Sequence, residues 1–218
     1  GKANGLGMHE SQSRLWENQV GRSREFCEWS LSLWKEFFPE NMDGVDGEKL
    51  WQSVNLVEPG LIRVDADEAT YNLHIMIRYE IEKRLISGDL DVDDLPDAWD
   101  EMYHEFLGIK SPNRSQGVLQ DIHWSMGAIG YFPTYTLGNL YAAQLLEAAR
   151  KDLPNHDDQI RSGEFGPLLN WMRENVHGRG SVLKPADLIE EATGSPPSPD
   201  AFVRYLSSKV ESLYEVTA

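Results

Sequence analysis

The chain has 218 residues and carries 36 acidic against 20 basic side chains, a net charge of −16. No basic run interleaves with aromatics, so nucleic acid and anionic membrane surfaces are poor partner candidates. One cysteine, Cys27, rules out an intrachain disulfide and suits a reducing compartment such as the cytoplasm, and no apolar run reaches the length of a membrane span. The length accommodates one large domain or, less often, two, with a sizeable core. The opening GKANGLGMHES has no initiator Met and no signal peptide, and it reads as the middle of a longer chain.

From His9 to Phe38 the apolar residues Leu15, Trp16, Val20, Phe26, Cys27, Trp29, Leu33, Trp34 and Phe37 recur at steps of three and four. That spacing predicts a long amphipathic helix, kinked near Gly21 and ended by Pro39. A turn-rich loop over 40–47 precedes a short helix around Lys49–Leu56, and Pro59-Gly60 breaks the chain. Leu61 to Ala66 alternates Ile62, Val64 and Ala66 with Arg63 and Asp65, the pattern of a short extended segment. Asp67 is a helix N-cap candidate before the pattern Leu73, Ile77, Ile81, Leu85, which runs to Gly88. After an acidic loop at 89–95, a helix from Pro96 to Leu107 places Ala98, Trp99, Met102, Tyr103 and Phe106 on one face, and 108–116 is a further loop. Leu137–Leu153 is rich in strong helix formers, and shorter helices are expected at Gln159–Arg161, Phe165–Val176, Pro185–Ala192 and Pro199–Glu215. SPPSP at 195–199 reads as a turn. The fold class is mainly α, with at most one short strand pair.

The stretch GVLQDIHWSMGAIGYFPTYTLG, from Gly117 to Gly138, departs from these patterns. Pro133 removes a backbone donor and disfavours the α region at Phe132, so the segment breaks there and a helix starts at Pro133. A broken segment flanked by glycines can hold His123, Tyr131 and Tyr135 in a pocket, and imidazole and phenol suit proton movement or donation to an oxyanion. The same residues can equally be core aromatics around a satisfied histidine. His-Glu dipeptides, which can begin a zinc-binding helix, occur at His9 and His104. Four residues on stand Ser13 and Gly108, so neither completes a zinc-binding His-Glu-x-x-His helix. Nor does the chain contain a phosphate loop, a nucleophile elbow or a Cys–His pair by spacing.

Three stretches together do carry a specific signal: HESQSRLWEN at 9–18, LIRVDAD at 61–67 and GVLQDIHW at 117–124. They resemble, in order, three signature motifs of the carboxypeptidase Taq family of zinc metallocarboxypeptidases. Those patterns are His-Glu-Ser/Gly-Gln, Ile/Val-Arg-x-x-Ala-Asp and Gly-x-x-Gln-Asp-x-His-Trp. The resemblance implies a helical, cleft-containing fold of the neurolysin type, a homodimer, and release of single residues from peptides with a free C-terminus. It implies zinc, with cobalt as an alternative, and Glu10 as one of its ligands. Arg63 would grip the substrate carboxylate, Gln120 and Asp121 would orient the site, and His123 with Tyr131 or Tyr135 would stabilise the oxyanion. Family members are longer and carry a His-Glu-x-x-His helix upstream. The expectation is therefore a C-terminal portion whose partner is the absent N-terminal half, inactive by itself. A truncated paralogue, a non-catalytic helical interaction module, or a fragment pairing with a separate N-terminal chain are the alternatives.

Overall fold

The computed structural model describes residues 4–214, and within them every regular element is helical. The chain divides into two compact units, one made of residues 1–56 and 137–218 and the other of residues 57–136. Among the described residues no helix is long and apolar enough to cross a membrane.

The first unit opens with α1 (Leu6–Arg14), which runs into a wider π-helical stretch, Leu15–Val20, and then α2 (Arg24–Phe37). The single long helix expected from the apolar spacing is thus interrupted near Gly21, where a kink was anticipated. The Gly21 amide donates to the Trp16 carbonyl at 2.8 Å, a five-residue step. A Cβ at Gly21 would meet the Glu17 and Trp16 carbonyl oxygens at 2.9 and 3.0 Å, so this wide turn needs glycine. Ser23 then caps α2, its Oγ accepting from the Phe26 amide at 3.1 Å. α2 stops just before Pro39, as expected. A short helix, α3 (Gly47–Val54), follows, capped by Asp46.

The rest of the first unit is built around α6 (Pro133–Asp152). From Tyr141 to Ala149 most of its side chains are buried, and Ala142, Leu145, Leu146 and Ala149 pack with Met8, Leu15, Ile160, Leu168, Met172, Leu188 and Ile189. A helix apolar on most sides is a core helix. Around it stand α7 (His156–Arg161), α8 (Gly166–Asn175), α9 (Pro185–Thr193) and α10 (Asp200–Tyr214). These match the shorter helices expected from sequence, except that the predicted last residue, Glu215, lies outside the described residues.

The second unit centres on α4 (Tyr71–Ser87) and α5 (Leu95–Leu107). Ile77, Ile81, Ala98, Trp99, Tyr103 and Leu107 form one core cluster, and Tyr71, Ile75 and Phe132 form another. Gly88, at φ +81°, closes α4 in the left-handed conformation. Asp67 caps the turn leading into α4, its carboxylate accepting from the Ala69 and Thr70 amides and the Thr70 hydroxyl.

The expected extended segment at 61–66 is corrected by the structure: Arg63–Asp65 is a 3-10 turn, and no strand occurs among the described residues. The reason is a side chain that substitutes for a neighbouring strand. The Gln120 amide accepts from the Arg63 N–H at 2.9 Å and donates to the Leu61 carbonyl at 3.0 Å, so these backbone groups are satisfied without a ladder.

Candidate functional site

The second unit gathers most of the residues singled out in the sequence. Residues 111–132 contain no helix; they form a run of turns between α5 and α6 that carries Gln120, Asp121, His123 and Tyr131. Tyr135 follows on the first turn of α6, and Arg63 comes from the 3-10 turn.

Arg63 is 5 % exposed. Its Nε and Nη2 both donate to Asp121, the shortest contact being 2.6 Å, and its Nη1 donates to the Tyr71 hydroxyl at 3.1 Å. Three of its five N–H groups are thereby used, which leaves one on each terminal nitrogen. A second guanidinium lies in the same cluster. Arg78, on α4 and fully buried, donates from Nε to Asp121 at 2.7 Å, from Nη2 to Gln120 at 2.9 Å, and from Nη1 to the His74 carbonyl and Tyr103 hydroxyl. Aromatic faces complete both environments: Arg63 lies 5.0 Å from the Tyr135 ring and Arg78 4.6 Å from the Trp99 ring.

Asp121 therefore serves two guanidinium groups, and the trio holds one positive charge more than it neutralises. Burial pushes the Asp121 carboxyl up, but the hydrogen bonds and charges of Arg63 and Arg78 outweigh it and hold the group below its ordinary value. Burial works against the charge on Arg63 too, and Asp121 more than offsets it, so the guanidinium stays charged. The site is thus a rigid, partly desolvated cation, which suits recognition of a planar anion.

His123 stands beside this cluster. Its Nε2 is 3.1 Å from the Tyr135 hydroxyl, and its buried Nδ1 lies 3.7 Å from Asp121, beyond hydrogen-bond reach. Burial lowers its pKa; Asp121 and Glu82 raise it, while Arg63 and Arg78 lower it, and the net effect is downward. The imidazole is neutral at pH 7. One ring proton is best placed on Nδ1, facing the carboxylate, with Nε2 accepting from Tyr135. Tyr131 contributes packing, its ring 5.3 Å from His123 and 5.4 Å from Tyr135.

Glu10, the expected metal ligand, belongs to the first unit. It stands on α1, 3.4 Å from Arg14 Nε, against Gly138 of α6. A Cβ at Gly138 would sit 2.8 Å from both Cβ and Cγ of Glu10, so only glycine admits this approach. Among the described residues no group of three or more His, Cys, Asp or Glu could hold a metal ion. A catalytic zinc takes three protein ligands, so the described residues do not by themselves compose a metal centre.

The sequence reading missed Arg78, Tyr71 and Glu82, and it placed Tyr103 on an apolar face without its hydroxyl contacts to Arg78 and His74. The stripe His74, Arg78, Glu82 sits one residue after the apolar stripe of α4, where polar side chains normally face water. The available signal was its repetition at steps of four on a helix so rich in isoleucine.

A family model described as carboxypeptidase Taq (M32) metallopeptidase matches residues 1–210. Thermostable carboxypeptidase 1 of Thermus thermophilus is 47 % identical over 98 % of this chain and 42 % of its own length. Carboxypeptidase 1 of Bacillus subtilis is 42 % identical over 96 % of this chain, again 42 % of its own length. The solved M32 carboxypeptidase of Deinococcus radiodurans superposes with a TM-score of 0.95 at 44 % identity, over 99 % of this chain and 44 % of that one. The chain thus spans well under half the length of the relatives it matches. The chain belongs to the carboxypeptidase Taq (M32) metallopeptidase family.

Proposed function

We propose that this chain contributes the carboxylate-recognising part of a metallocarboxypeptidase that releases single residues from peptides with a free C-terminus. The observation that carries the reading is the shared Asp121. One half-buried carboxylate orients Arg63 and Arg78 and leaves an excess positive charge, with one N–H on each terminal nitrogen of Arg63 available to an incoming carboxylate. Gln120 fixes the backbone of Arg63 and one terminal nitrogen of Arg78, so both guanidinium groups are held before substrate arrives. Tyr135 would turn its hydroxyl proton, held by His123 Nε2 at rest, to the developing oxyanion, and His123 would keep that hydroxyl in place. Tyr135 is preferred to Tyr131 because its hydroxyl is bonded to His123 and its ring lies against Arg63.

Glu10 is proposed as one ligand of a zinc ion, or of cobalt in its place, the remaining ligands coming from residues outside these 218. The isolated chain is accordingly proposed to be inactive. The reading includes a cytoplasmic location, supported by the single buried thiol of Cys27, and a homodimeric assembly. Mass spectrometry of a peptide digested by the full-length protein tests the reaction. A ladder shortened one residue at a time from the C-terminus is expected, with no products from the 218-residue chain alone. Internal cleavage, or release from the N-terminus, would contradict the reading.

A further inference from the structure

Glu82 has no part in the chemistry described above, yet both of its oxygens are spent on the segment that carries His123. It lies on α4, is 6 % exposed, and accepts from the Trp124 indole Nε1 at 2.8 Å and from the Gly130 backbone N–H at 2.7 Å. Between those anchors the chain turns tightly, with Gly127 at φ +73° and Gly130 at φ +78°, conformations that glycine adopts without strain. One helical turn earlier on α4, Arg78 binds Asp121 and Gln120 on the other side of His123. α4 therefore holds the segment twice, with a cation before His123 and an anion after it. Trp124 is itself wedged edge-on against Trp99 and Phe132, and Phe132 lies 4.4 Å from the His123 ring.

We propose that Glu82 is a positioning residue: it clamps residues 124–130 so that His123 is presented to Tyr135 and Arg63 in working register. This rests on the carboxypeptidase reading for its catalytic consequence, while the clamp itself does not. A buried carboxylate with two neutral donors also adds negative charge near His123, among Asp121, Arg63 and Arg78, and its direction there is to raise the imidazole pKa.

The test uses the full-length, metal-loaded protein with Glu82→Gln, which keeps the shape but turns an N–H₂ towards one of the two donors. Trp124→Phe, which removes the indole N–H together with part of the ring and leaves the Glu82 carboxylate in place, provides a second variant should Glu82→Gln fold poorly. Hydrogen exchange at the Gly130 amide should accelerate by about tenfold or more in Glu82→Gln, as expected for the loss of one charge-assisted hydrogen bond. For a free-acid peptide kcat should fall roughly tenfold, with KM within about twofold because Arg63 is held independently, and the limb of the pH profile due to His123 should move to lower pH. Trp124→Phe should reproduce the faster exchange to a smaller degree without moving that limb. Unchanged exchange at Gly130 would overturn the clamp, whether or not the protein proves to be a carboxypeptidase. Faster exchange with kcat and pH profile equal to the parent would overturn the positioning role, leaving only a structural contact. Arg63→Ala, run alongside, reports separately on the carboxypeptidase reading.

Discussion

Gly138→Ala is the smallest change that should disturb the first unit at its candidate metal ligand. The new Cβ would stand 2.8 Å from both Cβ and Cγ of Glu10 and 3.1 Å from its backbone carbon. Carbon atoms rest at about 3.5–4.0 Å, so α1 and α6 must separate by roughly 1 Å along that line. Three contacts are involved and one is backbone, so rotation of the Glu10 side chain alone cannot relieve them. Overpacking of this kind costs about 1–3 kcal/mol, while alanine in place of glycine in a helix interior returns about 1 kcal/mol. The net loss of up to about 2 kcal/mol should appear as a lower Tm, the step per kcal/mol shrinking as chain length grows. Metal affinity should suffer more than stability, because a ligand moved by about 1 Å lies outside the tolerance of a working site, about 0.5 Å. Calorimetry and competitive chelator titration of the full-length protein give the two numbers, with metal affinity expected to drop at least about tenfold. A variant as stable as the parent, with unchanged metal affinity, would refute both the close approach and the role of Glu10.

Stability at acid pH should depend on His74. Burial, reinforced by the charges of Arg78 and Arg63, lowers its pKa from 6.5 to about 4. The unfolded chain therefore takes up a proton near pH 6.5 while the folded chain resists until about pH 4, and stability falls as pH drops through that window, by up to about 3 kcal/mol. Denaturant titrations at pH 4 and 7 should show a shallower pH dependence in His74→Gln; equal slopes in variant and parent would exclude His74 as the cause. Cys27 should be inert. It is 2 % exposed, and burial pushes its thiol up to about 11, against a smaller opposing effect of Lys209. Alkylation at pH 8 should run at least roughly a hundredfold slower in the native than in the unfolded protein, and rapid stoichiometric labelling of native protein would contradict this.

Helix positions were legible wherever local chemistry fixes a boundary. Pro133 and Pro185 open helices, Gly88, Gly108 and Gly194 close them, and Phe38, preceding Pro39, could not continue α2. What the sequence could not show depends on residues far apart in the chain. The 3-10 turn at Arg63 replaces an extended segment because an amide 57 residues away satisfies its backbone. Likewise Arg78 and Glu82 look solvent-facing until their partners are found 42 and 43 residues or more downstream. Two of the three motifs name Arg63, Gln120, Asp121 and His123, which the structure brings together in one cluster. Their support was not legible, because a buried ion pair has no periodic signature.

The central claim is that Arg63 grips the terminal carboxylate, and it is tested most directly by pairing substrate and side-chain changes. kcat/KM of the full-length enzyme is measured on one peptide as free acid and as C-terminal amide, for the parent, Arg63→Lys and Arg63→Ala. A charged hydrogen bond contributes about 1.5–3 kcal/mol, so the parent should favour the acid by roughly ten- to a hundredfold or more. Arg63→Lys, which keeps the charge but not the fork, should retain part of that preference, and Arg63→Ala should lose most of it. An Arg63→Ala enzyme that still rejects the amide as strongly as the parent would contradict the account.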